Sequence, residues 1–154
     1  MNVQNARRLD FEARILSQKL PQFQLYRLDY GPVFTGYQRV VSAPGFLFQL
    51  ALCIPEWYPD EMPSLYVVSP RILTTYDGIS INSLGASHAF HTCSNGPGGV
   101  IQICHFNTQT WDASKTCVGV FFKGILWLEA YGVHLATGMR IADILDQWKE
   151  RQTG

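Results

Sequence analysis

The stretch "GGVIQICHFNTQTW" (residues 98–111) places a thiol where an apolar run gives way to a polar loop. Two glycines lead into a short extended run that ends at Cys104, and Trp111 follows in the loop. Free cysteines are among the most buried residue types, so a core thiol is the ordinary interpretation. A thiol with glycine-rich and polar flanks instead favours a side chain presented for chemistry. The elements around this stretch decide between the two.

Four apolar runs bounded by turn residues precede this stretch. They are FQLYRLDY (23–30), VFTGYQRVVSA (33–43), FLFQLALCIP (46–55) and SLYVVS (64–69). Each run is rich in aromatic and β-branched residues, which is typical of strands, and GP and PG turns separate the first three. Consecutive strands joined by tight turns form an antiparallel meander, so the sequence predicts a four-stranded sheet.

Helical patterns lie at both ends of the chain. Residues 4–20 carry apolar side chains three and four apart and end at Pro21, which predicts an N-terminal amphipathic helix. Residues 112–135 are apolar on nearly every face, as a central buried helix would be. Beyond the interruption at Gly138, residues 139–152 predict a last amphipathic helix.

The segment between the strands and the central helix has no clear periodicity. Residues 70–110 are rich in Gly, Ser, Asn and His, and a loop of this length in a small domain is usually functional or a packed irregular lobe. Asp112 or Ser114 is expected to cap the helix that follows. The order helix, four strands, irregular lobe and two helices predicts a single α+β domain over residues 1–154.

Composition excludes several classes of partner. The 154 residues carry a formal net charge of zero and do not form a basic patch, so nucleic acid is not an expected partner. We expect no membrane span, because uninterrupted apolar runs are too short. The start MNVQNARRLDFEAR lacks the apolar core of a signal peptide, so we expect a cytoplasmic protein.

The four cysteines fall into two classes. Cys53 and Cys117 lie in apolar runs and are expected to be core thiols. Cys93 and Cys104 have glycine-rich, polar surroundings and are the two that invite chemistry. Because the protein is expected in the cytoplasm, we expect all four to be reduced.

Three motifs, in this order, resemble the ubiquitin-conjugating enzyme fold over roughly residues 5–135. The first is YPDEMPSLYVVSP (58–70), similar to the family's Tyr-Pro turn and fourth strand. The second is FHTCSNG (90–96), where the family has a His-x-Asn-like element, and the third is IQICHFNTQTW (101–111), where it has the active cysteine and a later tryptophan. The helix KGILWLEAYGVHLATG (123–138) resembles bacterial members more than eukaryotic ones.

The resemblance implies an acyltransferase that carries a protein as a thioester. Cys104 would take the C-terminal glycine of a cargo protein and pass it to a lysine. His91 or Asn95 would stabilise the oxyanion, and Trp111 and His105 would form the wall of the active site. Each residue also has an ordinary interpretation: His91 and Asn95 as hydrogen bonders within the loop, Trp111 as a packing residue and His105 as a flanking surface residue.

The resemblance also implies partners. Bacterial members act in antiphage operons, where the cargo is either a nucleotidyltransferase that makes cyclic oligonucleotides or a ubiquitin-like protein. The acidic residue that the family places downstream has candidates in Asp112 and Glu129. An activating enzyme would dock on the first helix through Arg7, Arg8 and Arg14, whose alternative interpretation is a solvated charged face. No cofactor is expected.

Three alternatives stay open. A ubiquitin-conjugating fold can serve as a non-catalytic binding scaffold. A zinc site would draw on His88, His91, Cys93, Cys104 and His105, although this set lacks the paired C-x-x-C spacing of structural sites. A cysteine hydrolase would pair Cys104 with His91 or His134.

Overall fold

The chain forms three α-helices, two short 3-10 helices (Ile81–Leu84 and Pro97–Gly99) and one sheet, in a computed structural model that describes residues 3–153. The elements are α1 (Val3–Lys19), β1 (Gln24–Leu28), β2 (Gly31–Gln38), β3 (Phe48–Cys53), β4 (Ser64–Ser69), β5 (Ile101–Ile103), α2 (Cys117–Thr137) and α3 (Ile141–Thr153). The α+β class, with an N-terminal helix, an antiparallel sheet and C-terminal helices, agrees with the sequence-based prediction.

The sheet has five strands, so the prediction of four was wrong. Its spatial order is β1-β2-β3-β4-β5, and each neighbouring pair is antiparallel. The added strand is Ile101–Ile103, which pairs with Leu65, Tyr66 and Val67 of β4. Three residues are too few for an alternating pattern to stand out, which is why the sequence indicated only an extended run there.

The register of the sheet lines up one row of buried side chains. Phe34 lies opposite Leu52, Leu52 opposite Leu65, and Leu65 opposite Ile103. All four are at most 1% exposed. Because side chains alternate between faces, this row and its in-register neighbours form one apolar face, which helix α2 covers.

Helix α2 begins and ends on capping residues. Thr116 is the N-cap, and its side chain accepts a hydrogen bond from the Gly119 N–H at 3.1 Å. The predicted caps Asp112 and Ser114 were therefore wrong, since the helix begins later than the apolar pattern suggested. At the other end Gly138 adopts φ 78°, a left-handed conformation that favours glycine, as the predicted interruption requires.

Two glycines let α2 lie directly against the structure beneath it. A Cβ on Gly124 would be 2.6 Å from Leu65 Cδ2, and one on Gly132 would be 2.0 Å from Ser42 Oγ. Both distances are shorter than a real Cβ contact. At Gly124 the end of the Leu65 side chain can shift, whereas at Gly132 the Ser42 main-chain carbon lies 2.8 Å away, so Gly132 is the position that requires glycine. Within residues 3–153, α2 is also the one helix long and apolar enough to cross a membrane. Half of its most apolar window is buried in the fold, which is compatible with the core helix of a soluble protein.

An ion pair between the partly exposed Arg8 and the buried Glu12 joins α1 to the start of α2. Glu12 is 1% exposed, and its carboxylate accepts hydrogen bonds from Arg8 Nε at 3.1 Å and from the Cys117 N–H at 2.5 Å. Arg8 also donates to the carbonyls of Ala113 and Lys115 at 2.8 and 2.7 Å. The guanidinium of Arg8, expected to face an activating enzyme, therefore bonds within the fold.

Candidate functional site

The alternation of β5 turns Cys104 away from the core. Ile101 and Ile103 are 2% and 1% exposed, whereas Gln102 is only partly buried. Cys104 directly follows the strand, lies on the same face as Gln102 and is half-buried. The thiol is therefore presented at the margin of the sheet, with part of its surface open to solvent.

A short segment, residues 91–93, extends the sheet beyond β5. Thr92 lies opposite Ile103 in an isolated antiparallel bridge. The Cys93 N–H donates to the Gln102 carbonyl at 2.9 Å, and the Cys104 N–H donates to the His91 carbonyl at 3.2 Å. Cys93 therefore lies opposite Gln102. Because Gln102 and Cys104 point to the same face of the sheet, Cys93 and Cys104 are diagonal neighbours on that face.

The two thiols of this pair are in contact. Their sulfur atoms lie 2.7 Å apart, and both cysteines are free and half-buried. With Cys104 as the donor, the hydrogen bond lowers the pKa of the Cys93 thiol to about 7. The same bond, followed by burial, raises the pKa of Cys104. With that donor the two thiols share a proton, and Cys93 is the thiol of the pair that ionises first.

Sequence reasoning had marked both cysteines as chemically interesting but had not paired them. The pattern that could have found the pair is the Gly-rich turn SNGPGG (94–99), which lies between Cys93 and Cys104. Two extended runs flanking such a turn fold back on each other as a hairpin. Interpreting the turn in isolation hid this relationship.

His91 contributes its main chain to the site. Its φ of 57° is a left-handed conformation uncommon for a residue with a side chain. This turn aims the His91 carbonyl at the Cys104 N–H. Burial, and then the nearby His88, lower the pKa of the half-buried His91 ring, which favours its neutral form.

Asn95 belongs to a loop network. Its side chain is exposed and donates from Nδ2 to the Asn82 carbonyl at 2.7 Å. The Asn82 side chain in turn accepts from the Leu73 N–H at 3.1 Å and donates to the carbonyls of Arg71 and Gly99, each at 2.9 Å. Asn95 therefore helps to hold the irregular lobe in shape, which is its ordinary interpretation.

An aromatic wall follows Cys104 in the chain. Trp111 is 8% exposed and donates from Nε1 to the Pro59 carbonyl at 2.8 Å. Its ring lies 5.7 Å from that of Phe106 and 6.3 Å from that of His105, both in edge-to-face geometry. Trp111 and His105, the two predicted wall residues, thus pack against each other in the segment that follows Cys104.

His105 is held as a neutral imidazole. Nε2 lies 2.8 Å from the Pro63 carbonyl, which can only accept, so Nε2 carries the proton. Nδ1 is then unprotonated. Among the side chains of residues 3–151 it is the one buried polar atom that has no hydrogen-bond partner. Burial lowers the pKa of the ring, and Lys123 lowers it further. The ring is largely buried, in contrast to the flanking surface residue of the ordinary interpretation.

Two lysines face the aromatic wall. Lys123 Nζ lies 4.6 Å from the centroid of the Phe106 ring, and Lys115 Nζ lies 5.7 Å from it. Partial desolvation, then Lys149 and Lys115, lower the pKa of Lys123. Two cations therefore lie over the Phe106 ring, and one of them, Lys115, is paired with Asp112 at 3.8 Å.

The two candidate acidic residues are bonded into the fold. Glu129 accepts hydrogen bonds from the main-chain N–H groups of Val41 and Ser42 at 3.0 and 2.9 Å. Asp112 accepts from the Ser114 N–H at 2.8 Å, and the hydrogen bonds from Ser114 lower the pKa of this carboxyl. Both carboxylates therefore stabilise turns.

Neither a metal site nor a hydrolase that pairs Cys104 with His134 is supported by the arrangement of the side chains. No group of three or more His, Cys, Asp or Glu side chains within residues 3–153 is arranged to hold a metal ion. His134 is 4% exposed, and its two ring nitrogens lie 3.0 Å from the Tyr76 N–H and 2.6 Å from the Met139 carbonyl. A histidine with both nitrogens engaged in this way is a core residue.

Comparisons with protein-family models, curated proteins and solved structures found no match to this chain. Its function is therefore inferred from the residues of the site and their geometry.

Proposed function

We propose that this chain is a ubiquitin-conjugating-like transferase that carries a protein by its C-terminal glycine as a thioester on Cys104. The element order supports this proposal, because the helix α1, the antiparallel meander and the helices α2 and α3 occur in the order that the resemblance implied. The irregular lobe also lies between the sheet and α2, where such an enzyme needs its active cysteine.

The observation that carries the proposal is the presentation of the Cys104 thiol. It is half-buried at the end of β5, on the face of the strand opposite Ile103. An acyl carrier must admit the tail of another protein, which requires a sulfur on an open ledge rather than in a closed pocket. The wall formed by Trp111 and His105 would shield one side of the bound thioester from water.

The chemistry is an exchange of acyl groups. The Cys104 sulfur attacks the glycyl carbonyl carbon of a cargo already activated as a thioester on an activating enzyme. A new carbon–sulfur bond forms, the old one breaks, and the sulfur of the activating enzyme leaves as a thiolate. The Cys104 proton passes to the Cys93 thiolate, 2.7 Å away. A lysine amine then attacks the same carbonyl, forms an amide and releases Cys104.

The cargo and the setting follow from the resemblance. We propose a bacterial, cytoplasmic protein of antiviral defence whose cargo is a nucleotidyltransferase or a ubiquitin-like protein with a C-terminal glycine. The activating enzyme would meet α1 through the exposed Arg7 and Arg14. The second candidate is a scaffold of the same fold that binds partners without forming a covalent bond.

Intact-mass spectrometry tests the proposal. The chain is co-expressed with the products of its neighbouring genes and analysed with and without a thiol reductant. We expect a mass gain that the reductant removes from the wild type. In Cys104→Ser the gain should resist the reductant, because an oxyester is not cleaved by thiols, and in Cys104→Ala it should be absent.

Cys53→Ser is the matched control, because Cys53 is half-buried like Cys104 but lies at the end of β3. This variant should keep the reductant-sensitive adduct. If Cys104→Ala retains the adduct, or if the wild type forms none while still binding its partners, the carrier proposal is wrong and the scaffold is favoured.

A further inference from the structure

We propose that Cys93 and Cys104 form a reversible disulfide that closes the acyl-carrying site under oxidising conditions. The modification site stands on the geometry of the pair. Its regulatory consequence rests on the proposed function of Cys104.

The geometry of the pair already approaches that of a disulfide. The sulfurs lie 2.7 Å apart, and a disulfide bond is about 2.05 Å long. Since the thiols touch, their side chains point towards each other, and small side-chain rotations would bring the sulfurs to bonding distance. The main chain on either side is held by the Cys93 N–H bond to Gln102 and the Cys104 N–H bond to His91.

The pair is also accessible and chemically poised. Both cysteines are half-buried, so a small oxidant can reach them. One member is a thiolate near neutral pH, and the thiolate is the form that reacts with oxidants. Cys117, by contrast, is 0% exposed, and burial raises the pKa of its thiol, so it stays inert.

A hydroperoxide is the oxidant that this chemistry requires. The Cys93 thiolate attacks one peroxide oxygen, the O–O bond breaks, and Cys93 becomes a sulfenic acid as the second oxygen leaves and takes up a proton. The Cys104 sulfur then attacks the Cys93 sulfur, and the sulfenic oxygen departs as water with the Cys104 proton. For hydrogen peroxide, two thiols and one peroxide give one disulfide and two waters.

The disulfide has two consequences for the proposed carrier. Cys104 can no longer accept an acyl group, so conjugation stops. The bond also protects both cysteines, because a sulfenic acid that meets no second thiol is oxidised further to the irreversible sulfinic and sulfonic acids. A thiol reductant should then restore the enzyme.

Tryptic digestion isolates the two cysteines of the pair in one peptide. No Lys or Arg lies between Arg71 and Lys115, so trypsin releases one peptide, residues 72–115, that carries Cys93 and Cys104 and neither other cysteine. The purified chain is treated with hydrogen peroxide, blocked with an alkylating agent and digested without reductant. We expect this peptide to lose the mass of two hydrogen atoms, to resist alkylation and to recover both thiols after reduction.

Variants separate the pair from the other thiols. Cys53→Ser should form the linkage as the wild type does. Cys93→Ser should form none and should instead accumulate sulfinic and sulfonic acid at Cys104, which reduction does not reverse. If the wild type yields the same overoxidised Cys104, or a linkage between two chains, the disulfide inference is overturned.

Cargo loading, measured as the reductant-sensitive adduct, distinguishes this inference from the proposed function. Each variant is compared with its own untreated sample. Peroxide should abolish loading of the wild type and a reducing step should restore it, whereas the loss in Cys93→Ser should persist. If the disulfide forms but no cargo adduct is found, the disulfide inference holds and the carrier proposal is wrong. If the cargo adduct forms but no disulfide is found, the carrier proposal holds and the disulfide inference is wrong.

Discussion

At the scale of single residues, the reactivity of each thiol is set by its immediate neighbour. Cys117 lies in the core, where the Tyr58 hydroxyl is 3.3 Å from its sulfur and burial keeps the thiol protonated. Cys53 lies at the end of β3 and its pKa is raised by burial. Cys93 differs because its neighbour is another thiol that can donate to it. The hydrogen bond from Cys104 thus makes the Cys93 thiol easier to ionise than the thiols of Cys53 and Cys117.

We predict that Cys104→Ala makes Cys93 less reactive at neutral pH. In the wild type the Cys104 S–H stabilises the Cys93 thiolate and lowers its pKa to about 7. Without that donor the pKa should rise towards the value of an ordinary cysteine, about 8.5. The rate of iodoacetamide labelling of peptide 72–115, followed across pH by mass spectrometry, gives the midpoint directly.

Cys53→Ala serves as the control for this shift. It removes a thiol outside the pair and should leave the labelling midpoint of the pair where it was. An unchanged midpoint in Cys104→Ala would mean that the contact between the two sulfurs does not stabilise the thiolate. The transfer of the Cys104 proton to Cys93 in the proposed mechanism would then have no support.

At the scale of elements, the packing of α2 positions the site. The helix covers the apolar face of the sheet, and its first turn lies near the aromatic wall, where Gly119 approaches Phe106. Glycine lies at two points of close approach: Gly124 above Leu65 and Gly132 above Ser42. Glycine is a poor helix former, so its presence in the middle of a 21-residue helix indicates a packing requirement.

We predict that Gly132→Ala destabilises the protein by about 2 kcal/mol, the usual range for an overpacked site. The new Cβ would lie 2.0 Å from Ser42 Oγ and 2.8 Å from the Ser42 main-chain carbonyl carbon, so the backbone must move. This cost should exceed the roughly 1 kcal/mol that alanine gains over glycine as a helix former. Urea unfolding followed by far-UV circular dichroism measures the difference.

Gly119→Ala is the matched control in the same helix. Its Cβ would meet Thr116 Oγ1 at 3.4 Å and Phe106 at 4.0 Å, which are ordinary contacts. The substitution should therefore be neutral or slightly stabilising. Equal losses of stability in the two variants would mean that helix α2 does not pack against Ser42 as described.

At the scale of the whole molecule, alternation and turn residues were enough to predict most of the architecture. The run SLYVVS (64–69) forms β4 with the predicted bounds, and the last two helices agree with their apolar patterns to within a few residues. β5 was missed as a strand because it has only 3 residues and its partner β4 is distant in sequence. So short a run leaves no alternating pattern to detect.

The candidate site was less predictable than the fold, for a similar reason. The position of Cys104 after an extended run indicated its half-exposed state, and the family resemblance named Trp111 and His105 as wall residues. The contact with Cys93, the buried neutral ring of His105 and the capture of Asn95 by Asn82 all depend on tertiary contacts. Residue type and spacing cannot distinguish such partners from solvent.

Stability of the whole chain should depend on pH through two histidines. Burial lowers the pKa of His105 and of His91 below the ordinary value of 6.5. As pH falls through that value, the unfolded chain binds protons that the folded chain does not, so the free energy of unfolding decreases. The contribution of the two neutral rings to the free energy of unfolding is thus fully present above about pH 6.5. It is lost progressively as the pH falls towards the lowered pKa values of the folded chain.

We predict that this loss is reduced in His105→Gln, because a glutamine amide can still donate to the Pro63 carbonyl but takes up no proton. Urea unfolding of the wild type should give a free energy about 1 kcal/mol lower at about pH 5.5 than at about pH 7, with a smaller difference in the variant. The exposed Gln109, which does not titrate and lies in the same loop, provides the control, and Gln109→Ala should keep the wild-type difference. An unchanged pH difference in His105→Gln would contradict this prediction. It would mean that the His105 ring takes up a proton as readily in the folded chain as in the unfolded one, so that the fold does not favour the neutral imidazole.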